Sequence, residues 1–114
     1  MPKKLKITDV TWQLDCLPED VSIEGNALAS GDDVQDRAQE RWIHDQLGSG
    51  NQWAWCSVRL TGSYKGLEAF DTLGCCCYLD ENDFQQPGGY FDDMRANVLA
   101  DLQVQLDELL TECC

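Results

Sequence analysis

Residues 53–78 read WAWCSVRLTGSYKGLEAFDTLGCCCY, and this stretch decides the fold. From Trp53 to Tyr64 the side chains alternate. Ala54, Cys56, Val58 and Leu60 line one face, and Trp53, Trp55, Ser57, Arg59 and Thr61 line the other. A period of two belongs to a strand, in which successive Cβ atoms point to opposite sides. Tyr64, Lys65 and Gly66 supply a hairpin turn. The return strand runs from Leu67 to Tyr78, with Glu68, Phe70, Thr72 and Cys76 alternating with Ala69, Leu73, Cys75 and Cys77. Gly74 inside it marks a bulge or a close backbone approach.

On the N-terminal side a third strand is expected from Ile7 to Leu17, where Val10, Trp12, Leu14 and Cys16 alternate with Thr11, Gln13 and Asp15. Pro18 ends it by removing a ladder donor. An acidic connector, 18–31, precedes a helix that Asp32 caps, with Gln35 three residues on as in a capping box. Val34, Ala38, Trp42 and Leu47 form its expected apolar stripe, with Ile43 beside them. Asp33 with Arg37 and Glu40 with His44 make expected i,i+4 pairs on the other side. Gly48, Ser49 and Gly50 stop the helix. On the C-terminal side, a loop around Phe84 is bracketed by acids at 80–83 and by Pro87, Gly88 and Gly89. A last helix follows, its stripe Phe91, Met94, Val98, Leu102, Leu106 and Leu109 spanning about five to six turns. Asp92 and Asp93 sit in its first turn, where the helix dipole favours carboxylates. The order β-α-β-β-α predicts one α+β domain over 1–114, a three-stranded antiparallel sheet with helices packed on one face. Residues 1–6 are expected to be flexible.

The charge is the unusual number. Twenty-one carboxylates against eight Lys and Arg leave −13. Lys3, Lys4 and Lys6 crowd one end, so residues 7–114 carry 5 − 21, or −16. Self-repulsion of that size opposes a compact state. It also has the wrong sign for phosphate, which excludes direct nucleic-acid binding. No apolar run reaches membrane-span length and no signal-peptide core is present, so a cytoplasmic, reduced protein in a bacterial host cell is expected. Its seven cysteines are then thiols rather than a disulfide framework, with Cys113 and Cys114 a loose tail.

Catalytic patterns are lacking. Cys75, Cys76 and Cys77 form a run whose neighbours point to opposite faces, which does not suit the convergent ligands of zinc, and no metal or cofactor is expected. His44 is the sole histidine, and Glu40 one turn earlier is its nearest orienting group. No nucleophile signature accompanies them, so a non-enzyme is expected. The acids themselves remain. On the last helix Asp93, Asp101, Glu108 and Glu112 fall within roughly a 100° arc at 3.6 residues per turn. Asp80, Glu81 and Asp83 form a second cluster, and Glu19, Asp20, Glu24, Asp32, Asp33 and Asp36 a third. Carboxylates in rows on a rigid scaffold imitate phosphates and steer onto a basic cleft.

The chain resembles short proteins encoded by bacteriophages and other mobile elements. The likeness rests on Trp53, Ala54, Trp55 and Cys56, on Leu73, Gly74, Cys75 and Cys76, on Phe84, on Gly89 through Met94, and on Leu99 through Leu102. The resemblance implies an anti-defence accessory protein, of the anti-CRISPR or anti-restriction kind, that inhibits a basic nucleic-acid-handling host protein such as a CRISPR effector subunit or a restriction enzyme. Two further readings stay open. One is a homo-oligomeric structural or regulatory protein, such as a homodimer, using a sheet face that carries Trp53 and Trp55. The other is an immunity-type antitoxin, which shares the electrostatics.

Overall fold

The computed structural model describes residues 4–28 and 30–112, for 110–112 the backbone alone. Cys113 and Cys114 lie outside the described residues. The elements are β1 (Thr11–Pro18), α1 (Asp33–Gly48), β2 (Cys56–Tyr64), β3 (Leu67–Cys76), a single-turn α2 (Glu81–Phe84) and α3 (Tyr90–Glu112). Two 3-10 turns, Ile7–Asp9 and Gln52–Ala54, precede β1 and β2. The three strands form one antiparallel sheet in the order β1-β2-β3, so the expected α+β class holds.

The hairpin forms as its alternation dictates. Cys56, Val58, Leu60 and Gly62 of β2 are buried on the inner face, and Arg59 is exposed on the outer one. Registers of Leu14 with Leu60 and of Ala69 with Gly62 bring the inward rows of β1 and β3 alongside. Lys65 and Gly66 both take positive φ at the turn, 47° and 85°. α3 crosses the inner face over β2 and β3. Met94, Val98 and Leu102 are its buried stripe, with Phe91 and Leu106 at the margins. Gly62 allows this approach, because a Cβ there would stand 2.8 Å from Val98 Cγ1.

β3 ends at Cys76, two residues short of the expected Tyr78. Cys75 has φ 55°, and the ladder slips between Cys56 and Val58. This bulge moves Cys76 from the expected Phe70 side to the buried side, beside Ala69 and Leu73. Gly74 marks the place, as expected: a Cβ there would meet Glu19 Oε1 at 3.0 Å.

Four other expectations need correction. The strand begins at Thr11 rather than Ile7, because the Asp9 carboxylate accepts from Lys6 N–H at 2.9 Å and closes a 3-10 turn. Of the arm expected over 1–6, residues 1–3 lie outside the described residues and Leu5 is packed: it is 4% exposed beside Val98 and Leu102, and its N–H donates to Gln103 Oε1 at 2.7 Å. α1 starts at its Asp32 cap as expected, the carboxylate accepting from Val34 and Gln35 N–H. Its buried side, however, is Glu40 and Ile43 with part of Trp42 and Leu47, while Val34 is 79% exposed and Ala38 is also in solvent. The reason is position. α1 packs against the Gln52–Ala54 turn, whereas α3, with Phe84 of α2, covers the sheet face. The molecule is accordingly long, 61 × 27 × 25 Å.

The fourth correction concerns the tryptophans. Asn51 caps the 3-10 turn by accepting from Trp53 N–H at 3.2 Å, which breaks the strand period before Cys56. Trp55 is 5% exposed in a cluster with Ile23, Ile43 and Ala54, and its indole N–H donates to Val21 O at 2.9 Å. Trp53 packs on Phe84, ring centroids 5.6 Å apart. Neither tryptophan lies on the open face of the sheet, Trp53 half-buried and Trp55 buried, so the two do not form the shared exposed face expected of them. Large apolar residues exposed there include Phe70, with the Arg59 guanidinium 4.8 Å over its ring.

Candidate partner-binding surface

The acids divide by what they do within the fold. Most of those in the connector are employed. Glu19 accepts from Cys75 and Val21 N–H, and these bonds hold its carboxyl below the usual range. Glu24 is bonded to His44 Nε2 at 2.7 Å, which draws its pKa down to about 2. Asp32 caps α1, and Asp36 accepts from Ser30. Glu40, 4% exposed, accepts from Gly25 N–H at 3.1 Å and from Arg37 at 2.6 Å. Desolvating a carboxylate is costly unless it is paired. Here the pairing ties an irregular connector to α1. The pairs expected at i,i+4 are thus replaced by Arg37–Glu40 and Glu24–His44. His44 is not oriented by Glu40.

The 80–83 loop is mixed. Asp80 accepts from Asp83 N–H at 2.8 Å, and Asp83 accepts from Leu79 N–H at 3.0 Å. These bonds cap α2 and order both charges without removing them. Glu81 is exposed. Phe84 anchors the loop in an aromatic cluster, with Tyr78 at 5.0 Å, Trp53 at 5.6 Å and Phe91 at 5.9 Å between centroids. The Phe84–Phe91 contact joins the loop to the first turn of α3.

On α3 the arrangement differs. Asp93, Asp101 and Glu108 are exposed, as expected, and flank the buried stripe of Met94, Val98 and Leu102: Asn97 and Gln105, one turn either side of Asp101, both bond to β3. Among the described residues none of the three makes a hydrogen bond or ion pair. Glu112 closes the helix, and its side chain lies outside the described residues. The cation of α3, Arg95, is turned away: it pairs with Asp92 at 2.6 Å and stacks 4.6 Å over Phe91. Asp92 also accepts from Gly88 N–H, and these two partners hold its carboxyl low. At 1.5 Å per residue, Asp93 and Asp101 are separated by about 12 Å along the axis, and Asp101 and Glu108 by about 10 Å. Asp93, Asp101 and Glu108 form an exposed acidic row along one flank of α3.

Two features were not legible in the sequence. Cys16, Cys56 and Cys76 meet on the inner face near Phe84 and Trp53, 40 and 20 residues apart in the chain. The contact with Cys76, together with burial, pushes the Cys56 thiol up, and burial raises Cys16. Among the described residues no group of three His, Cys, Asp or Glu is placed to hold a metal ion. A groove of about 460 Å³ also opens between the connector and α1, lined by Leu17, Val21, Ile23, Leu47 and Trp55. Among the described residues no helix is long and apolar enough to cross a membrane. No family model, curated protein or solved structure matches the chain.

Proposed function

We propose that this chain is a binding protein whose acidic α3 flank docks on the basic cleft of a nucleic-acid-handling protein, its carboxylates standing where phosphates would lie. The observation that carries the reading is that Asp93, Asp101 and Glu108 are exposed along one helix and have no side-chain partner among the described residues. Carboxylates already bonded internally have less to offer a partner than carboxylates that give up only water. The axial spacing of about 10–12 Å matches about every third phosphate of a strand that rises 3.4 Å per nucleotide. Asp80, Glu81 and Asp83 extend the field beyond the first turn. The likeness to mobile-element proteins makes a host defence enzyme, a CRISPR effector subunit or restriction enzyme, the partner class.

The test is capture from a bacterial host lysate followed by elution in a salt gradient. A nucleic-acid-binding protein should be retained and should elute as salt screens the contact. Replacing Asp93, Asp101 and Glu108 together by Lys should move its elution to markedly lower salt. Retention of the same protein with unchanged salt dependence by the reversed variant would sink the proposal.

A further inference from the structure

The two edges of the sheet are treated differently. On β3, Glu68 O accepts from Gln105 Nε2 at 3.0 Å, Thr72 N–H donates to the Asp71 carboxylate at 3.0 Å, and Cys75 N–H donates to Glu19. The bulge at Cys75 distorts what remains. These are devices that stop an edge from pairing. β1 has none of them along its length. Among the described residues, the side-chain hydrogen bond to its backbone comes from Ser63 of β2, at 3.5 Å on Thr11 O, and so from inside the sheet. The inward row Trp12, Leu14 and Cys16 is only half-buried, because α3 crosses β2 and β3 instead. An eight-residue strand therefore presents an open ladder flanked by apolar side chains.

We infer that β1 is the dimerisation edge of this protein, pairing antiparallel with β1 of a second copy about a two-fold axis through Leu14. The strand's own sequence argues for a second copy as the occupant. In an antiparallel pair, opposed residues share a face, so a symmetric register must place inward residues opposite inward ones. Centring on Leu14 does this over Thr11–Leu17, seven residues, and leaves Pro18, which has no N–H to donate, one residue outside; the equally long register centred on Asp15 would take Pro18 in. The Leu14 register sets Trp12 opposite Cys16 and Leu14 opposite itself on the apolar side. On the solvent side it sets Gln13 opposite Asp15. Those two side chains already bond within one strand, at 3.1 Å, so the amide and carboxylate are compatible in length and chemistry. The register centred on Asp15 instead opposes two like charges, which is unfavourable. The result is a continuous six-stranded sheet, with isologous contacts as two-fold symmetry requires.

Each copy carries −13, so added salt should tighten this dimer by screening repulsion. Salt should weaken the α3 contact, and the two proposals therefore fail independently. The experiment is sedimentation equilibrium of the full chain over a range of concentrations and NaCl. A reversible monomer–dimer equilibrium strengthened by salt is expected. Gln13 is exposed, so its substitution leaves the core intact. Gln13→Arg should tighten the dimer and Gln13→Asp should loosen it. Each change should be about tenfold, or about 1.4 kcal/mol, since every substitution acts twice across the axis. A chain that stays monomeric at every concentration and salt would overturn the inference. So would a dimer indifferent to both substitutions, or one that Gln13→Arg weakens, which would place Gln13 opposite itself.

Discussion

Adding one methyl group at Gly62 probes the contact on which the orientation of α3 depends. A Cβ built there meets Val98 Cγ1 at 2.8 Å, Val10 Cγ1 at 3.0 Å and Trp12 Cζ3 at 3.1 Å. All three belong to packed side chains. Val98 is a β-branched residue in a helix, with one strongly preferred χ1, so it cannot rotate out of the way at low cost. Overpacking of this kind costs about 1–3 kcal/mol, and the lower backbone entropy of Ala in the unfolded chain returns about 0.5–1 kcal/mol. Three contacts at 2.8–3.1 Å with packed atoms put the overpacking cost in the upper half of its range, about 2–3 kcal/mol, so Gly62→Ala should destabilise the fold by about 1–2 kcal/mol. With about 2.1 cal/mol/K of unfolding entropy per residue, the 114-residue chain should lose about 4–8 °C in Tm. Val98→Ala removes the nearest methyl but opens a cavity, at about 2–3 kcal/mol. In the double variant the new methyl occupies that space, so the combined loss should fall short of the sum by about 1 kcal/mol or more. Thermal and urea unfolding of the four proteins measures the cycle. Additivity within about 0.5 kcal/mol, or a Gly62→Ala protein as stable as the parent, would show that α3 does not rest on β2 as described.

Two other outcomes follow from the titrating groups and thiols. Glu24 is depressed from 4.5 to about 2 by His44, so its contribution to stability is complete above the unfolded-state value and disappears as pH falls from about 4.5 toward 2. Glu24→Gln should flatten the acid limb of the stability curve in that window, and identical limbs in urea titrations would refute the pairing. Cys56 and Cys76 are buried and the Cys56 thiol is raised, whereas Cys75 is exposed. Mass spectrometry after brief treatment with iodoacetamide should find Cys75 modified while Cys56 and Cys76 stay protected until denaturant is added. Equal labelling of Cys56 and Cys75 in the native protein would contradict the burial.

Legibility followed the strength of local pattern. The hairpin and α3 were readable because their apolar residues recur at the strand and helix periods, and one packed face demanded that recurrence. Asp32 was readable as a cap because its role involves only residues two and three positions on. The α1 stripe was misread where long-range partners decide. Gly25 and Arg37 supply hydrogen bonds that let Glu40 be buried, and nothing in the helix itself announces a donor 15 residues away. The tryptophans were misread for a related reason: the Asn51-capped turn shifts the phase one residue before β2 begins.

The same division applies to the acidic surface with which the functional reading is concerned. Net charge and the angular positions of Asp93, Asp101 and Glu108 follow from the sequence, because counting charges and winding a helix need no knowledge of neighbours. Which carboxylates are spent on the fold was decided by tertiary structure alone. Glu19 reaches Cys75 across 56 residues and Glu24 reaches His44 across 20, while Asp93, Asp101 and Glu108 make no side-chain hydrogen bond or ion pair among the described residues. The contrast between the capped β3 edge and the bare β1 edge arose in the same way. Hydrogen-bond partners distant in sequence are chosen by packing, and packing exists only once the chain has folded.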